Sequence, residues 1–282
     1  MLARLTLIGM MLVLSFPTFA TAYPWLEDGH KITDTLISRQ STPKGFKRVA
    51  AAPNSFSDFL RHLPLKPEGT PLRLYDGSKV SWPVYAGAII DLDLGPRDLQ
   101  QCADTLIRLY AEYRYARGTA DALSFNFTSG DAFPYADYLK GRRPLVSGRE
   151  VSWRTGSETP HGRKAFRGWL DTIFLYAGTA SLTRDLLRVK LKDAQIGDLF
   201  IAPGFPGHTV MIADMAVDEA GRRKMLLIEG FTPAQDAHVL RNLLPLSDGD
   251  WYDLTNGEDL ATPVWRFTPG QLHRMDQLLH ME

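Results

Sequence analysis

Two apolar runs, His208 to Val217 and Lys224 to Glu229, are joined by Asp218-Glu219-Ala220-Gly221. Runs of this length, bounded by turn residues, read as the two strands of a β-hairpin. The spacing limits what the hairpin can present. If Asp218 to Gly221 is the loop, Val217 faces Arg222, Glu229 faces Val210 and Phe231 faces His208. Side chains alternate along a strand, so His208, Val210 and Ile212 share a face. Glu229 falls on that face, a diagonal neighbour about 7 Å from His208. A slip of one residue would reverse this.

Further strands are expected at Asp198 to Ile201, Ala237 to Leu240 and Val264 to Phe267, making the C-terminal block β-rich. Upstream, Val84 to Leu94 reads as a buried strand. Leu72 to Tyr75 reads as a short one before an Asp76-Gly77 turn. Ser55 to His62 has helical spacing and stops at Pro64. The longest helix is expected from an Asp98 N-cap to about Gly118, with Leu99, Cys102, Ala103, Leu106, Leu109, Tyr110 and Tyr113 on one stripe. A second helix spans Phe166 to Tyr176, and a short third Leu182 to Val189. Residues 124–162 are punctuated by glycine and proline and read as loops. There is no internal repeat. The organisation expected is α+β: an N-terminal segment 23–94 packed on a core 95–282, with a helical insertion at 118–195.

Composition narrows the function. Of 282 residues, 44% are hydrophobic and 23% charged, as in a chain with a packed core. Lys+Arg and Asp+Glu are 32 each, so no global field draws the chain to nucleic acid, and no nucleic-acid partner is expected. One cysteine excludes an intramolecular disulfide and any site needing several thiolates. Histidines 161, 208 and 238 lack close ligand spacing, so neither a metal nor a cofactor is expected.

Met1 to Ala22 reads as a secretory signal: Arg4, an apolar run from Leu5 to Phe16, then Ala20-Thr21-Ala22 before a mature start at Tyr23. The chain is therefore expected to be exported, periplasmic or secreted. No later apolar stretch is long enough to anchor it in a membrane. In an oxidising compartment, unpaired Cys102 is a buried inert thiol, half of an intermolecular bridge, or a nucleophile.

A helix start and a nearby imidazole both stabilise a thiolate. His208, opening an apolar strand behind Pro206-Gly207, is the candidate base. Glu229 would orient it, with Gln235 as the other candidate. Gln100, Gln101 or a backbone N–H at the helix start would serve an oxyanion. Gln101, Phe205 and Gly207 are the candidate substrate contacts, Gly207 because a glycine lets a ligand approach the backbone. Asp98 would oppose thiolate formation if it lay close. The rival reading buries Cys102 and leaves the glycine loops as a ligand groove. Asp91 and Asp93 are read as a solvated strand end, and Arg142-Arg143 as a solvated loop.

A cysteine at a helix start, then Gly197-Asp198-Leu199-Phe200-Ile201, then Pro206-Gly207-His208-Thr209-Val210-Met211-Ile212, then a strand ending in a polar residue resembles the papain-like cell-wall hydrolases of the NlpC and CHAP types. The resemblance implies a nucleophile helix on an antiparallel sheet, with Cys102 as nucleophile, His208 as base and Glu229 as its partner. It also implies a peptide or amide substrate in the bacterial envelope, such as a peptidoglycan peptide. From about Pro43 to Phe267 the chain resembles the bacterial domain of unknown function 4846, through segments such as Asp98-Leu99-Gln100-Gln101-Cys102-Ala103-Asp104 and Pro233-Ala234-Gln235-Asp236-Ala237-His238.

Overall fold

The computed structural model describes residues 22–26, 30–245, 247–254 and 257–275. The signal segment, Ala22 apart, lies outside them.

The first third of the chain holds α1 (Leu36–Arg39), β1 (Lys47–Arg48), α2 (Phe56–Arg61) and β2 (Ala86–Ile89). Next come α3 (Cys102–Ala116), the hairpin β3–β4 (Ser124–Asn126, Ala132–Pro134), α4 (Tyr135–Leu139) and the hairpin β5–β6 (Arg142–Ser147, Glu150–Thr155). Helices α5 (Arg163–Tyr176) and α6 (Thr179–Asp185) lead into β7 (Leu187–Arg188), β8 (Leu199–Ala202), β9 (His208–Val217) and β10 (Arg223–Glu229). The chain continues through β11 (His238–Leu240), β12 (Tyr252–Asp253), β13 (Leu260–Ala261), β14 (Arg266–Phe267) and β15 (Leu272–Arg274). Among the described residues nine strands form one sheet in the order β2-β11-β10-β9-β8-β15-β7, with β1 on β9 and β12 on β10. Its strand pairs are antiparallel. No helix of the described chain is long and apolar enough to cross a membrane.

The β9–β10 hairpin reaches its register by two offsets. The turn is one residue longer than its sequence suggests, so Val217 pairs with Arg223 instead of Arg222. A bulge at Ala213 then moves the pairing from Leu226↔Asp214 to Leu227↔Ile212 and Ile228↔Met211. One offset cancels the other. Beyond the bulge the pairing is that of the simple count, and Glu229 lies at the level of Val210 as expected. Bulges that re-aim side chains recur beside functional sites.

Helix α3 packs on β9 and on α5. Its apolar stripe is fully buried, with Leu106, Ile107, Leu109 and Tyr110 inaccessible. The opposite side is also buried, although it carries Arg108 and Glu112. Arg108 binds the Asp93 carboxylate (2.5 Å) and Gln100 Oε1 (2.7 Å), and Arg163 clasps Glu112 (2.6 and 2.9 Å). Asp93 is exposed, as expected of a solvated acid, but it is also paired: although burial would raise it, Arg108 and Arg167 hold its carboxyl below the usual range. A depressed carboxylate stabilises the fold above its unfolded value and loses that contribution as pH falls through its folded value. Replacing Asp93 with asparagine is expected to lower the melting temperature at neutral pH, with the gap closing in acid below about pH 4.

Several expectations are corrected. Helix α3 starts at Cys102, with Gln101 as N-cap, because the Asp104 carboxylate accepts the Gln101 backbone N–H (3.1 Å). Asp98 is not the cap. It accepts the Gln101 side-chain amide (3.0 Å) and the Ala234 N–H (2.7 Å), tying the 231–234 loop to the helix start. The third helix is Thr179–Asp185, and Leu187–Arg188 is an edge strand on β15. The 118–195 insertion is not simply helical. It contains two hairpins, whose turns place Gly130 and Gly148 at φ of 104° and 61°. Residues 72–75 make only isolated bridges. Arg142 and Arg143 are not free: they lie over Trp153 and Tyr138, 3.9 and 3.7 Å from the ring centroids, in cation–π geometry.

Candidate active site

Cys102 is the first residue of α3, one turn nearer the helix start than the sequence suggests. His208 opens β9 and Glu229 ends β10. The helix start meets the strand ends at Gly230. A Cβ there would lie 2.2 Å from Thr105 Oγ1 and 3.0 Å from the Gln101 carbonyl. Only a glycine permits this approach. Gly230→Ala is expected to push α3 off the sheet and cost about 1–3 kcal/mol in denaturant unfolding, as overpacking does.

A cavity of about 690 Å³ opens between these elements. Cys102 and His208 both line it, with Asp104, Thr179, Phe231 and Trp265. The sulfur and the imidazole face one space but make no hydrogen bond with each other. The two loops beside it, at Phe205-Pro206 and Thr232-Pro233, each contain a cis proline bond. A second cavity of about 600 Å³ shares Leu175, Ala177 and Phe205 with the first and extends to Arg149 at the β5–β6 turn.

His208 is 3% exposed and Glu229 is fully buried. His208 Nε2 donates to Glu229 Oε2 at 2.7 Å. This fixes the tautomer and leaves Nδ1, on the other side of the ring, without a hydrogen-bond partner among the described residues. Phe231, Trp265 and Phe267 enclose the ring at centroid distances of 5.4, 5.5 and 6.0 Å. Glu229 Oε1 accepts a second bond, from His238 Nε2 at 3.2 Å. Burial acts to raise Glu229, but the bonds and charges from His208 and His238 outweigh it and hold the carboxyl below its usual range.

Burial pushes the Cys102 thiol up to about 11. Asp104 and then Glu229 add to the rise, while the backbone N–H groups of Ala103 and of Cys102 itself partly offset it. The acid that opposes the thiolate is therefore Asp104, not Asp98. Burial holds Asp104 itself well above the ordinary carboxylate range, and its Oδ1 has no partner. At this helix start burial and the nearby acids outweigh the backbone N–H groups, so the thiol is raised instead of lowered.

The other expected residues divide. Phe205 lines the cavity and is 88% exposed. Gly207 lines it too, and a Cβ there would meet Thr179 Oγ1 at 2.3 Å, so internal packing also requires the glycine. Gln101 lines the cavity with its amide already engaged by Asp98 and Thr232. Gln100 is fully buried and does not line the cavity, so it is no oxyanion donor here; its Oε1 accepts from Arg108 and its Nε2 has no partner among the described residues. Gln235 does not reach His208: its amide meets the Tyr85 hydroxyl at 3.3 Å, and Glu229 holds the imidazole alone. His161 is exposed and apart, and among the described residues no cluster of three or more His, Cys, Asp or Glu could hold a metal ion.

His238 was missed as a site residue. Its signal was present, since Glu229 and His238 are direct cross-strand partners in the β10–β11 pair. Reading it required knowing that β11 pairs with β10.

Residues 36–274 match the family model described as Domain of unknown function (4846). No curated protein and no solved structure matches the chain.

Proposed function

Because the chain belongs to the domain of unknown function 4846 family, whose description carries no activity, we propose its function from the site itself: a thiol hydrolase acting on an amide or ester carbonyl. The observation that supports it is the cavity lined by both Cys102 and His208, with His208 anchored through Nε2 to a buried carboxylate. A cysteine helix laid on an antiparallel sheet, with the histidine opening a central strand, is also what a papain-like core of the NlpC or CHAP type would present.

In this reading the resting thiol is protonated, since it sits near 11. His208 Nδ1 takes the thiol proton as Cys102 Sγ attacks the carbonyl carbon. The N–H groups of Cys102 and Ala103, at the open end of α3, face the sulfur side and stabilise the oxyanion. His208 then returns the proton to the leaving amine or alcohol, and the C–N or C–O bond breaks to leave a thioester on Cys102. Water, deprotonated by His208, hydrolyses the thioester and releases the acid. An extended chain suits the joined cavities, because it would cover the exposed Phe205 and Leu175 at their junction. With the secretory signal expected from the sequence, an envelope peptide is the substrate class proposed.

The rival, a ligand-binding protein on the same fold, draws on the same raised thiol: Cys102 is 8% exposed and not activated at rest. p-Nitrophenyl acetate separates the two. A hydrolase releases a stoichiometric burst of nitrophenolate that Cys102→Ser or Cys102→Ala abolishes. A binding protein gives no burst until it is unfolded.

A further inference from the structure

The carboxylate that orients His208 is itself held, and the geometry of that hold is specific. His238 is fully buried in β11, between β10 and β2. Its Nε2 faces Glu229 Oε1 at 3.2 Å, and its Nδ1 faces the Asp236 carbonyl at 3.0 Å. A carbonyl oxygen and an ionised carboxylate can only accept. Neither nitrogen of His238 can therefore serve as an acceptor, and a neutral imidazole, with one N–H, would leave one contact lone pair to lone pair.

We propose that His238 is held as the imidazolium and is a positioning residue of this site, completing a relay Asp236 carbonyl–His238–Glu229–His208. The proposal rests on the hydrolase reading only for its catalytic consequence. Two donors, one from each histidine, pin both oxygens of Glu229, so the carboxylate cannot rotate away from His208. His238 also supplies the countercharge for a carboxylate with no water around it. The remaining groups about the relay fit. The Tyr85 ring lies 5.5 Å from His238 and carries no charge to compete, because burial raises its hydroxyl. Tyr252 is likewise pushed up, by burial first and then by Glu229 and Asp250. The Asp236 carboxylate is turned away, paired with Lys66 at 2.7 Å and with the Arg73 N–H at 3.0 Å. Cys102, on α3, and Asp104 share the cavity lining with His208 at the relay's end.

The first readout needs no variant. Imidazole 15N shifts of the full-length protein at pH about 7 should show both nitrogens of His238 protonated, and His208 protonated at Nε2 with Nδ1 bare. A His238 with one bare nitrogen overturns the proposal. The second is a pair of variants. His238→Leu should remove the donor, let His208 mix tautomers, and slow the p-nitrophenyl acetate burst at least about tenfold, as loss of a supporting partner does. His238→Gln keeps a donor toward Glu229 and should restore the tautomer and bring the burst within about threefold of the parent. Equal behaviour of the two variants overturns the relay, since a packing role would track volume and not the donor. Failure of the hydrolase reading looks different: no burst in the parent, with the His208 tautomer still responding to His238.

Discussion

His208→Ala is expected to slow acylation of Cys102 by p-nitrophenyl acetate by about 10²–10⁴-fold, the range in which a positioned general base contributes. The size follows from the resting thiol. In a site where the sulfur is already a thiolate, losing the histidine would remove the countercharge and leave an accessible nucleophile. Here burial, Asp104 and Glu229 keep Cys102 protonated up to about 11, so little thiolate exists at neutral pH without a base. The proton must leave as the bond to carbon forms. The variant should therefore recover only in strong alkali, where the thiol ionises unaided. Measured as burst rate against pH, the parent should lie far above the variant near neutrality and converge with it as pH approaches the thiol's own value. A drop of less than about threefold at neutral pH would show that His208 does not act on the sulfur. The protein would then be better described as a binding protein.

Glu229→Gln is expected to cost about 3 kcal/mol of stability, in the range for breaking a buried ion pair from one side. It should also abolish most of the burst. An amide offers one acceptor where the carboxylate offers two, yet both histidines donate to this residue. One of them must give up its proton or its partner. If His208 yields, Nε2 turns acceptor and Nδ1 carries the hydrogen, and the base then faces the cavity in the wrong tautomer. The pH dependence has a definite sign. Glu229 is held below its usual range, so its contribution is present above the unfolded carboxylate value and fades as pH falls through the folded one. Chemical denaturation of parent and variant should therefore differ fully at neutral pH and converge in acid. A constant gap down to strongly acidic pH would mean that Glu229 is not the ionised centre of the relay.

Much of this centre is legible along the chain. Cys102 at a helix start, His208 opening an apolar strand and Glu229 on its face follow from periodicity and one hairpin count, because those rules are local. The count reached the right pairing although its turn was one residue short. The Ala213 bulge repaid the difference, and nothing near Ala213 in the sequence announces it. Asp98 reads as a cap because it precedes the apolar stripe. It is displaced because Asp104, two residues into the helix, closes on the Gln101 N–H and frees Asp98 to hold the 231–234 loop. Gln235 reads as well as Glu229 for an orienter, and only the fold turns its amide to Tyr85.

Residue order and apolar spacing were enough to indicate a buried hairpin, a cysteine-bearing helix and a mix of helices with antiparallel strands, since strand and helix periods are properties of adjacent residues. Whether the sulfur and the imidazole share a cavity, which acid weighs on the thiol, and that His238 shares Glu229 with His208 were decided by packing. The meetings of sulfur with imidazole and of His238 with Glu229 join residues from 9 to more than 100 positions apart. Their energies come from burial, which removes the water that would otherwise satisfy each group alone, and burial is a property of the assembled layers and not of any segment.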